Sequence, residues 1–203
     1  MKKLAVFLVL FLSCTLSFIL AQQTSCFSRL DSIEFGESEA IISNNANEYF
    51  VTGRSGDSSY YNGGTPIINK HGGVFVAKFD QNHNILWLKN QEGDSYLNYS
   101  NAIAIDNKGN VIIGGWYFDY IIFGSDSLSS NNGGGNNAYI SKFRPDGTHL
   151  WSKRIHTPGL FSDGRVTSLS TDGLGNIYFG GIFGGSMTFG QDSIQTWGYG
   201  DNY

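Results

Sequence analysis

The stretch DNKGNVIIGG at residues 106–115 decides the fold of this chain, because it returns as DGLGNIYFGG at residues 172–181. A weaker copy, NNANEYFVTG, occupies residues 44–53. The copies recur about every 62–66 residues, and a fixed period of this kind is typical of proteins built from stacked repeats. Because one such unit cannot bury its apolar faces alone, the pattern predicts units that stack on their neighbours.

Each copy predicts a hairpin inside a unit of four antiparallel strands. A short strand leads into a turn rich in Asp, Asn and Gly, where Gly109 and Gly175 are expected to supply the positive φ that the hairpin needs. A polar connection then leads to a third strand that ends in Lys-Phe and, after another turn, to a fourth strand that carries Leu-Trp. These third and fourth strands are predicted at residues 73–80 and 85–89, and again at residues 137–144 and 149–153.

Two glycine pairs and two tryptophans hold fixed places in the repeat. The pairs at residues 114–115 and 180–181 predict close approach of two backbone segments. Trp87 and Trp151 share one position of the fourth strand, which predicts that both pack between neighbouring units.

Residues 1–21 are predicted to be a secretory signal peptide. Two lysines precede an apolar run over residues 4–20, and Ala21 offers a small residue at which cleavage can occur. The alternative is an uncleaved anchor, for which the run is long enough. Cleavage would give a secreted or cell-surface chain without a membrane span, with the periplasm as the other location.

The composition favours many short strands and argues against nucleic acid as a partner. The chain has 15% aromatic residues and 27 glycines but only 3 prolines, which suits strands joined by tight turns. Its formal net charge is −4 and its lysines and arginines form no cluster in the mature chain. Neither nucleic acid nor an anionic membrane surface is therefore expected as the main partner.

The repeat resembles a known family. Its elements are Asp-x-x-Gly-Asn before the second strand, Lys-Phe in the third strand and Leu-Trp-Ser in the fourth. This pattern is similar to the SBBP-type β-propeller repeats of secreted bacterial proteins, notably long cell-surface proteins of the Bacteroidetes kind. The resemblance covers about residues 39–203, although the first unit has Asn47-Glu48 where the others have Gly-Asn. It implies a blade of four strands per unit and a scaffold without a fixed active site.

The predicted fold is all-β and β-propeller-like, with about two and a half four-stranded antiparallel blades. The expected organisation is a signal peptide at residues 1–21, an N-terminal segment at 22–38 and a repeat region at 39–203, with units at about 39–99, 100–165 and 166–203. The last unit is truncated before its Lys-Phe strand, so the chain is expected to be an incomplete propeller and the N-terminal or truncated portion of a longer protein. Residues 26–30 resemble a fourth strand and are expected to clasp the ring, or else to form a short edge strand or a disordered lead.

Carboxylates recur in the repeat, but they do not form a recognisable catalytic or metal site. Asp106, Asp146 and Asp172 stand in turns, where they offer oxygen ligands to calcium or cap the turn through backbone hydrogen bonds. Asp126 and Asp192 recur as well, and paired carboxylates would suit glycoside hydrolysis if they faced one another. Capping and structural roles are the predictions, so no cofactor is expected, with calcium as the alternative.

Four aromatic residues are the candidate contacts for a ligand or partner. Trp116, Tyr117, Tyr120 and Trp197 lie near the variable connections, where exposed rings would stack on sugars or anchor a protein. Packing in the core is the alternative role for each.

The expected function is a secreted repeat scaffold that binds a protein or carbohydrate at the bacterial cell surface, without catalysis of its own. The alternative is the N-terminal fragment of a propeller-fold polysaccharide hydrolase or lyase, which requires acids, histidines or tyrosines that converge on the central channel. A third interpretation is a calcium-stabilised adhesin.

Overall fold

The computed structural model describes residues 36–56, 58–59, 67–68, 73–93, 97–130, 135–156 and 162–195. Every helix or strand assigned in these ranges is a β-strand. No helix in them is long and apolar enough to cross a membrane. The predicted signal peptide, the segment at 26–30 and Trp197 lie outside the described residues.

Sixteen strands follow one another along the described chain. They are β1 (Gly36–Ser43), β2 (Tyr49–Ser55), β3 (Ser58–Ser59), β4 (Ile67–Ile68), β5 (Gly73–Phe79), β6 (Ile85–Glu92), β7 (Tyr99–Ile105), β8 (Val111–Tyr117), β9 (Tyr120–Phe123), β10 (Asp126–Ser129), β11 (Gly135–Phe143), β12 (His149–Ile155), β13 (Ser162–Thr171), β14 (Ile177–Phe183), β15 (Ser186–Phe189) and β16 (Asp192–Gln195).

The strands form successive antiparallel blades. Blade 1 has the strand order β1-β2-β5-β6, and blade 2 has the matching order β7-β8-β11-β12. Blade 3 contributes β13 and β14, and a short parallel pairing links β13 to the start of β11 at Gly135 and Asn136. The predicted all-β, propeller-like fold is confirmed.

The connection after the second strand, predicted to be polar, contains two paired strands. These are β3 and β4 in blade 1, β9 and β10 in blade 2, and β15 and β16 in blade 3. Ile121 and Phe123 of the β9–β10 hairpin are fully buried. Burial of one such side chain contributes about 1.5–3 kcal/mol, so this hairpin is part of the blade core.

Five turns at one end of the blades share a single pattern of backbone hydrogen bonds. In each turn the amide of the first residue donates to the carbonyl of the fifth, and the fourth residue has a positive φ. The fourth residues are Asn47 (56°), His83 (65°), Gly109 (76°), Gly147 (83°) and Gly175 (86°). The predictions for Gly109 and Gly175 are confirmed. Asn47 can stand in the first unit because asparagine adopts the left-handed conformation more readily than most residues.

A β-bulge lies opposite a glycine in every blade. The register shifts occur between Ser38 and Ala40, between Ser100 and Ala102, and between Val166 and Ser168. A Cβ atom at Gly53, Gly115 or Gly181 would lie 1.9, 1.9 or 2.0 Å from the carbonyl oxygen of Glu37, Tyr99 or Arg165, respectively. The close backbone approach predicted for the glycine pairs is therefore confirmed at Gly115 and Gly181, and the bulge is its cause.

Apolar layers fill the spaces between the blades. We call the side of a blade that contacts the next blade its forward face and the opposite side its rear face. Because successive residues of a strand point to opposite sides, Ile113 of β8 packs toward blade 1 and Ile112 packs toward blade 3. Phe50, Ile112 and Tyr178 are equivalent forward-face residues, and the first two are buried.

The predicted packing of the two tryptophans between blades is confirmed. The ring of Trp87 packs 6.0 Å from the ring of Phe50, and its Nε1 donates a hydrogen bond of 3.0 Å to the carbonyl of Pro145 in blade 2. Trp151 packs against the apolar layer between blades 2 and 3.

Candidate functional site

The blades present two different ends. We call the end with the five shared turns the turn end. The loop end lies at the other end of the same strands and holds the connections from each second strand to the third and from each blade to the next.

The turn-end aspartates cap their own turns. Asp106 accepts hydrogen bonds from the amides of Lys108 and Asn110 and pairs with the Lys142 ammonium at 2.8 Å. Burial alone would raise the pKa of Asp106, but Lys142 and Asn110 outweigh it and lower this pKa to about 2. The carboxylate is therefore fixed as part of the blade.

The first unit reaches the same arrangement with the side chains exchanged. Asn44 caps the turn by accepting from the amides of Ala46 and Glu48, and the carboxylate now belongs to Glu48. Glu48 pairs with the Lys78 ammonium at 2.8 Å. Sequence reasoning missed this exchange and saw only a degraded copy.

The turn between β13 and β14 also has a capping carboxylate, but a tyrosine hydroxyl takes the place of the lysine that pairs with it in the other blades. Asp172 accepts from the amides of Leu174 and Asn176, and its second oxygen accepts a 3.0 Å hydrogen bond from the Tyr178 hydroxyl. The Asn176 side-chain amide also donates to this second oxygen, at 2.7 Å. That hydrogen bond has the largest effect, and together they lower the pKa of Asp172. Asp146 likewise accepts from the amide of Thr148, so the three aspartates that the sequence places in turns all have capping partners.

Asp126 is held within blade 2. Its carboxylate accepts a 2.7 Å hydrogen bond from the Ser152 amide and lies 4.0 Å from Nε2 of His149. Burial lowers the pKa of His149, and the Asp126 carboxylate opposes that shift. Asp126 therefore fastens the β9–β10 hairpin to β12, while Asp192 lies exposed on β16.

A row of charged and aromatic side chains crosses the blades at the loop end. The Arg54 guanidinium lies over the Tyr99 ring at 5.0 Å and donates to the Tyr99 hydroxyl at 2.7 Å. At the equivalent place in the next interface, the Arg165 guanidinium lies 5.0 Å from the Trp116 ring, so cation and ring have exchanged blades. The rings of Tyr99 and Trp116 stack at 4.5 Å and join the two pairs.

The structure separates the predicted contact residues. Trp116 is buried in the row just described, and Tyr117 is fully buried, where burial raises its pKa to about 12. Both rings therefore have the alternative, packing role. Tyr120 is 37% exposed at the start of β9, and Trp197 lies outside the described residues.

An open cleft of about 360 Å³ lies between the first strands of the three blades. It is lined by Ser38, Glu39, Ala40, Ile41, Val51, Ala102, Ile103, Thr167, Ser168 and Leu169. Burial and the neighbouring Glu37 raise the pKa of Glu39, while Arg54 opposes the shift. Glu39 is the one acid among these lining residues, whereas glycoside hydrolysis uses a pair.

Within the part of the chain that the structure describes, no group of three or more His, Cys, Asp or Glu side chains is placed to hold a metal ion. The loop-end row was not predicted either. Arg54 and Tyr99 are distant in sequence and belong to different blades, so their contact depends on how blades 1 and 2 pack together.

Comparison with known proteins agrees with a propeller-like repeat. No family model matches the chain. An uncharacterized WD repeat-containing protein of Acanthamoeba polyphaga mimivirus is 28% identical over 137 residues, which cover 62% of this chain and 10% of that protein. The chain thus spans about a tenth of the length of this relative. Together with the stacked four-stranded blades, the likeness indicates a propeller-like repeat protein.

Proposed function

We propose that this chain is part of a secreted β-propeller scaffold that binds a protein or carbohydrate through its loop end at a bacterial cell surface, without catalysis or a cofactor. The N-terminal lysines and apolar run support export, and the SBBP-like repeat supports a bacterial surface protein. A propeller-like repeat that recurs in a WD repeat-containing protein supports an interaction scaffold.

The contrast between the two ends carries the proposal. The turn end repeats one solution five times, and its carboxylates are held by amides and lysines. At the loop end, one repeat position is Arg54, Trp116 or Ile182 in successive blades. Side chains that the fold does not need to keep constant are available for recognition, which is the usual division between a rigid scaffold and its loops.

Tyr120 is the strongest contact residue on this surface. It opens the β9–β10 hairpin beside Gly93, the last described residue after β6 of blade 1. A tyrosine ring offers a large amphipathic surface for sugars or proteins. The side chains of Arg54 and Arg165, 30% and 39% exposed at the same end, are paired with Glu37 at 3.7 Å and Asp163 at 2.7 Å, so the surface beside Tyr120 offers charges of both signs.

A matched pair of variants tests the loop end. Tyr120→Ser removes the exposed loop-end ring, and Leu174→Ser removes an apolar side chain that is 88% exposed at the turn end. The secreted chain is applied to immobilised cellulose, chitin, xylan, pectin and peptidoglycan and to intact bacterial cells. We expect retention on at least one of these surfaces, lost on Tyr120→Ser and kept on Leu174→Ser. Equal retention of the two variants, or no retention of the parent chain, would contradict the proposal.

Export has its own test. Mass spectrometry of protein from the culture medium is expected to give a mature N-terminus at Gln22. Recovery of the chain with the cells, still carrying residues 1–21, would contradict a cleaved signal.

A further inference from the structure

We propose that the contact between blades 2 and 3 contains an acid-sensitive latch, which holds at neutral pH and opens when His156 takes up a proton. We define the latch as the contact of residues 154–156, at the end of β12, with β15 of the next blade. It goes beyond the proposed binding function and does not depend on any ligand. A backbone bridge, a buried ring nitrogen and a neighbouring cation support it.

The backbone bridge joins the outer strand of blade 2 to the hairpin of blade 3. The His156 amide donates to the Thr188 carbonyl at 2.9 Å, and the Thr188 amide donates to the His156 carbonyl at 2.7 Å. Beside the bridge, Met187 packs against the apolar layer that contains the fully buried Ile155. The bridge therefore fastens the β15–β16 hairpin to the last strand of blade 2.

The ring of His156 suits the closed latch only in its neutral form. Its Nδ1 is buried and has no hydrogen-bond partner among the described residues. In the charged ring both nitrogens are donors, so protonation would leave a buried, charged N–H group without an acceptor. An unpaired neutral nitrogen costs less than an unpaired charged one, so the closed latch disfavours the proton.

A neighbouring cation adds to this effect. Arg154 precedes His156 by two residues in extended chain, and side chains two residues apart point to the same face. The Arg154 guanidinium is held there by the hydrogen bond that it donates to the Ser129 carbonyl. Burial has the larger effect and the Arg154 charge the smaller one, and together they lower the pKa of His156.

No described carboxylate compensates a positive charge on His156. At His149, on the same strand, the Asp126 carboxylate opposes the effect of burial on the pKa, whereas no acid does so at His156. Residues 157–161 have no charged side chain. The other charged residues on β12 and on the strands around it are Asp126, Lys142, Lys153, Asp163, Arg165 and Asp192. Most of these have contacts of their own, Asp126 with the Ser152 amide, Lys142 with Asp106 and Asp163 with Arg165, while Lys153 and Asp192 are exposed.

The latch is therefore expected to weaken as the pH falls. In the open state the ring is in water with its ordinary pKa of 6.5, so the open state takes up a proton more readily than the closed state. The stabilising contribution of the neutral ring is complete above about pH 7 and is lost progressively below the ordinary pKa. Acid thus favours release of the hairpin.

The equivalent connection between blades 1 and 2 has no histidine. There Gly93 forms a bridge with Ile121 of β9. When the outer strands are aligned on Trp87 and Trp151, Glu92 takes the place of His156. Because a glutamate cannot become positively charged, this connection is an internal control within the same chain.

Amide hydrogen exchange of the secreted chain, resolved by residue with NMR, tests the latch. Protection factors, corrected for the direct effect of pH on exchange, are compared between about pH 7.5 and about pH 5.5. We expect the protection of the His156 and Thr188 amides to fall by about threefold or more in acid, while that of Ile121 and Ile122 stays within about twofold.

Two variants assign the effect to the ring. His156→Gln cannot take up the proton, so protection of the Thr188 amide should no longer depend on pH. Thr188→Asp places a carboxylate directly opposite His156, where it favours the charged ring, and should keep or increase protection in acid. This second variant answers the question if His156→Gln does not fold.

Three results would overturn the latch. One is a Thr188 amide whose protection in the parent chain is the same at both pH values. Another is an equal loss of protection in acid in the parent chain and in both variants. The third is a loss at Ile121 and Ile122 as large as that at Thr188, which would mean that acid loosens all the blades alike.

Discussion

The turn end and the loop end are built from the same strands, yet they tolerate change in different ways. When the first unit changes the residues of its turn, a compensating change keeps the carboxylate–lysine pair, with Glu48 and Lys78 in place of Asp106 and Lys142. At the loop end, Arg54 and Tyr99 in one interface become Trp116 and Arg165 in the next, with the cation moved to the other blade. Backbone geometry repeats on both sides, in the turns at one end and in the bulges near the other, whereas the loop-end side chains depend on the pair of blades that meet there.

The glycines opposite the β-bulges are expected to tolerate substitution least. Gly115→Ala places a Cβ atom 1.9 Å from the carbonyl oxygen of Tyr99, so the bulge must open. We expect a loss of at least about 3 kcal/mol in the free energy of unfolding, measured with denaturant. Gly173→Ala, with nothing within 4 Å of its Cβ, is the matched control and is expected to stay within about 0.5 kcal/mol. Equal effects would show that the bulge does not require glycine.

The buried carboxylate of Asp106, in the turn between β7 and β8, is expected to make the stability of the fold depend on pH. Because the folded-state pKa of Asp106 is about 2 and its ordinary value is 3.8, the folded state is stabilised above pH 4. This contribution, roughly 2 kcal/mol, is lost as the pH falls from about 4 to about 2. The unfolding free energy of Asp106→Asn, measured over this range, is expected to vary less with pH than that of the parent chain. Parallel pH profiles would contradict the assignment.

The exchanged turn can be converted into its neighbour. Asn44→Asp alone puts a second carboxylate beside Glu48 and removes an amide donor, which should cost about 1 kcal/mol. Asn44→Asp combined with Glu48→Asn recreates the residues at 106 and 110, and Lys78 can pair with the new carboxylate. We expect the double variant to unfold within about 0.5 kcal/mol of the parent chain. A double variant less stable than the single one would show that the two turns are not interchangeable.

The loop-end pairs are expected to give the smallest effect. A double-mutant cycle of Arg54→Met and Tyr99→Leu should yield a coupling energy of about 0.5–1 kcal/mol, because the guanidinium lies over the ring and hydrogen-bonds to its hydroxyl. The same cycle on Trp116→Leu and Arg165→Met should give a coupling of the same sign. Zero coupling in both cycles would remove the row as a contact between blades.

Local signals in the sequence predicted much of the fold. The turn glycines and the Lys-Phe and Leu-Trp strands were readable because each depends on residues close in the chain. The β9–β10 hairpin also had a signal, since Phe123 and Asp126 flank a two-residue turn in which Gly124 has a φ of 56°. Its serines and aspartates obscured the alternation of buried residues.

The candidate site was harder to predict for a physical reason. Whether Trp116 and Tyr117 face a partner or a neighbouring blade depends on how two sheets stack, and the period of one strand does not contain that information. The pairing of Glu48 with Lys78 likewise depends on the register between β2 and β5.

The claim that the turn end is fixed while exposed loop-end positions are free to vary is tested most directly by the protease resistance of every single-residue variant over the described residues. We predict that sensitive positions concentrate at the bulge glycines, at the first and fourth residues of the five turns and in the layers between blades. Exposed loop-end positions such as Tyr120 should accept most residues without loss of resistance. Loop-end positions that are as sensitive as the turn positions would contradict a loop end that is free to vary and to bind.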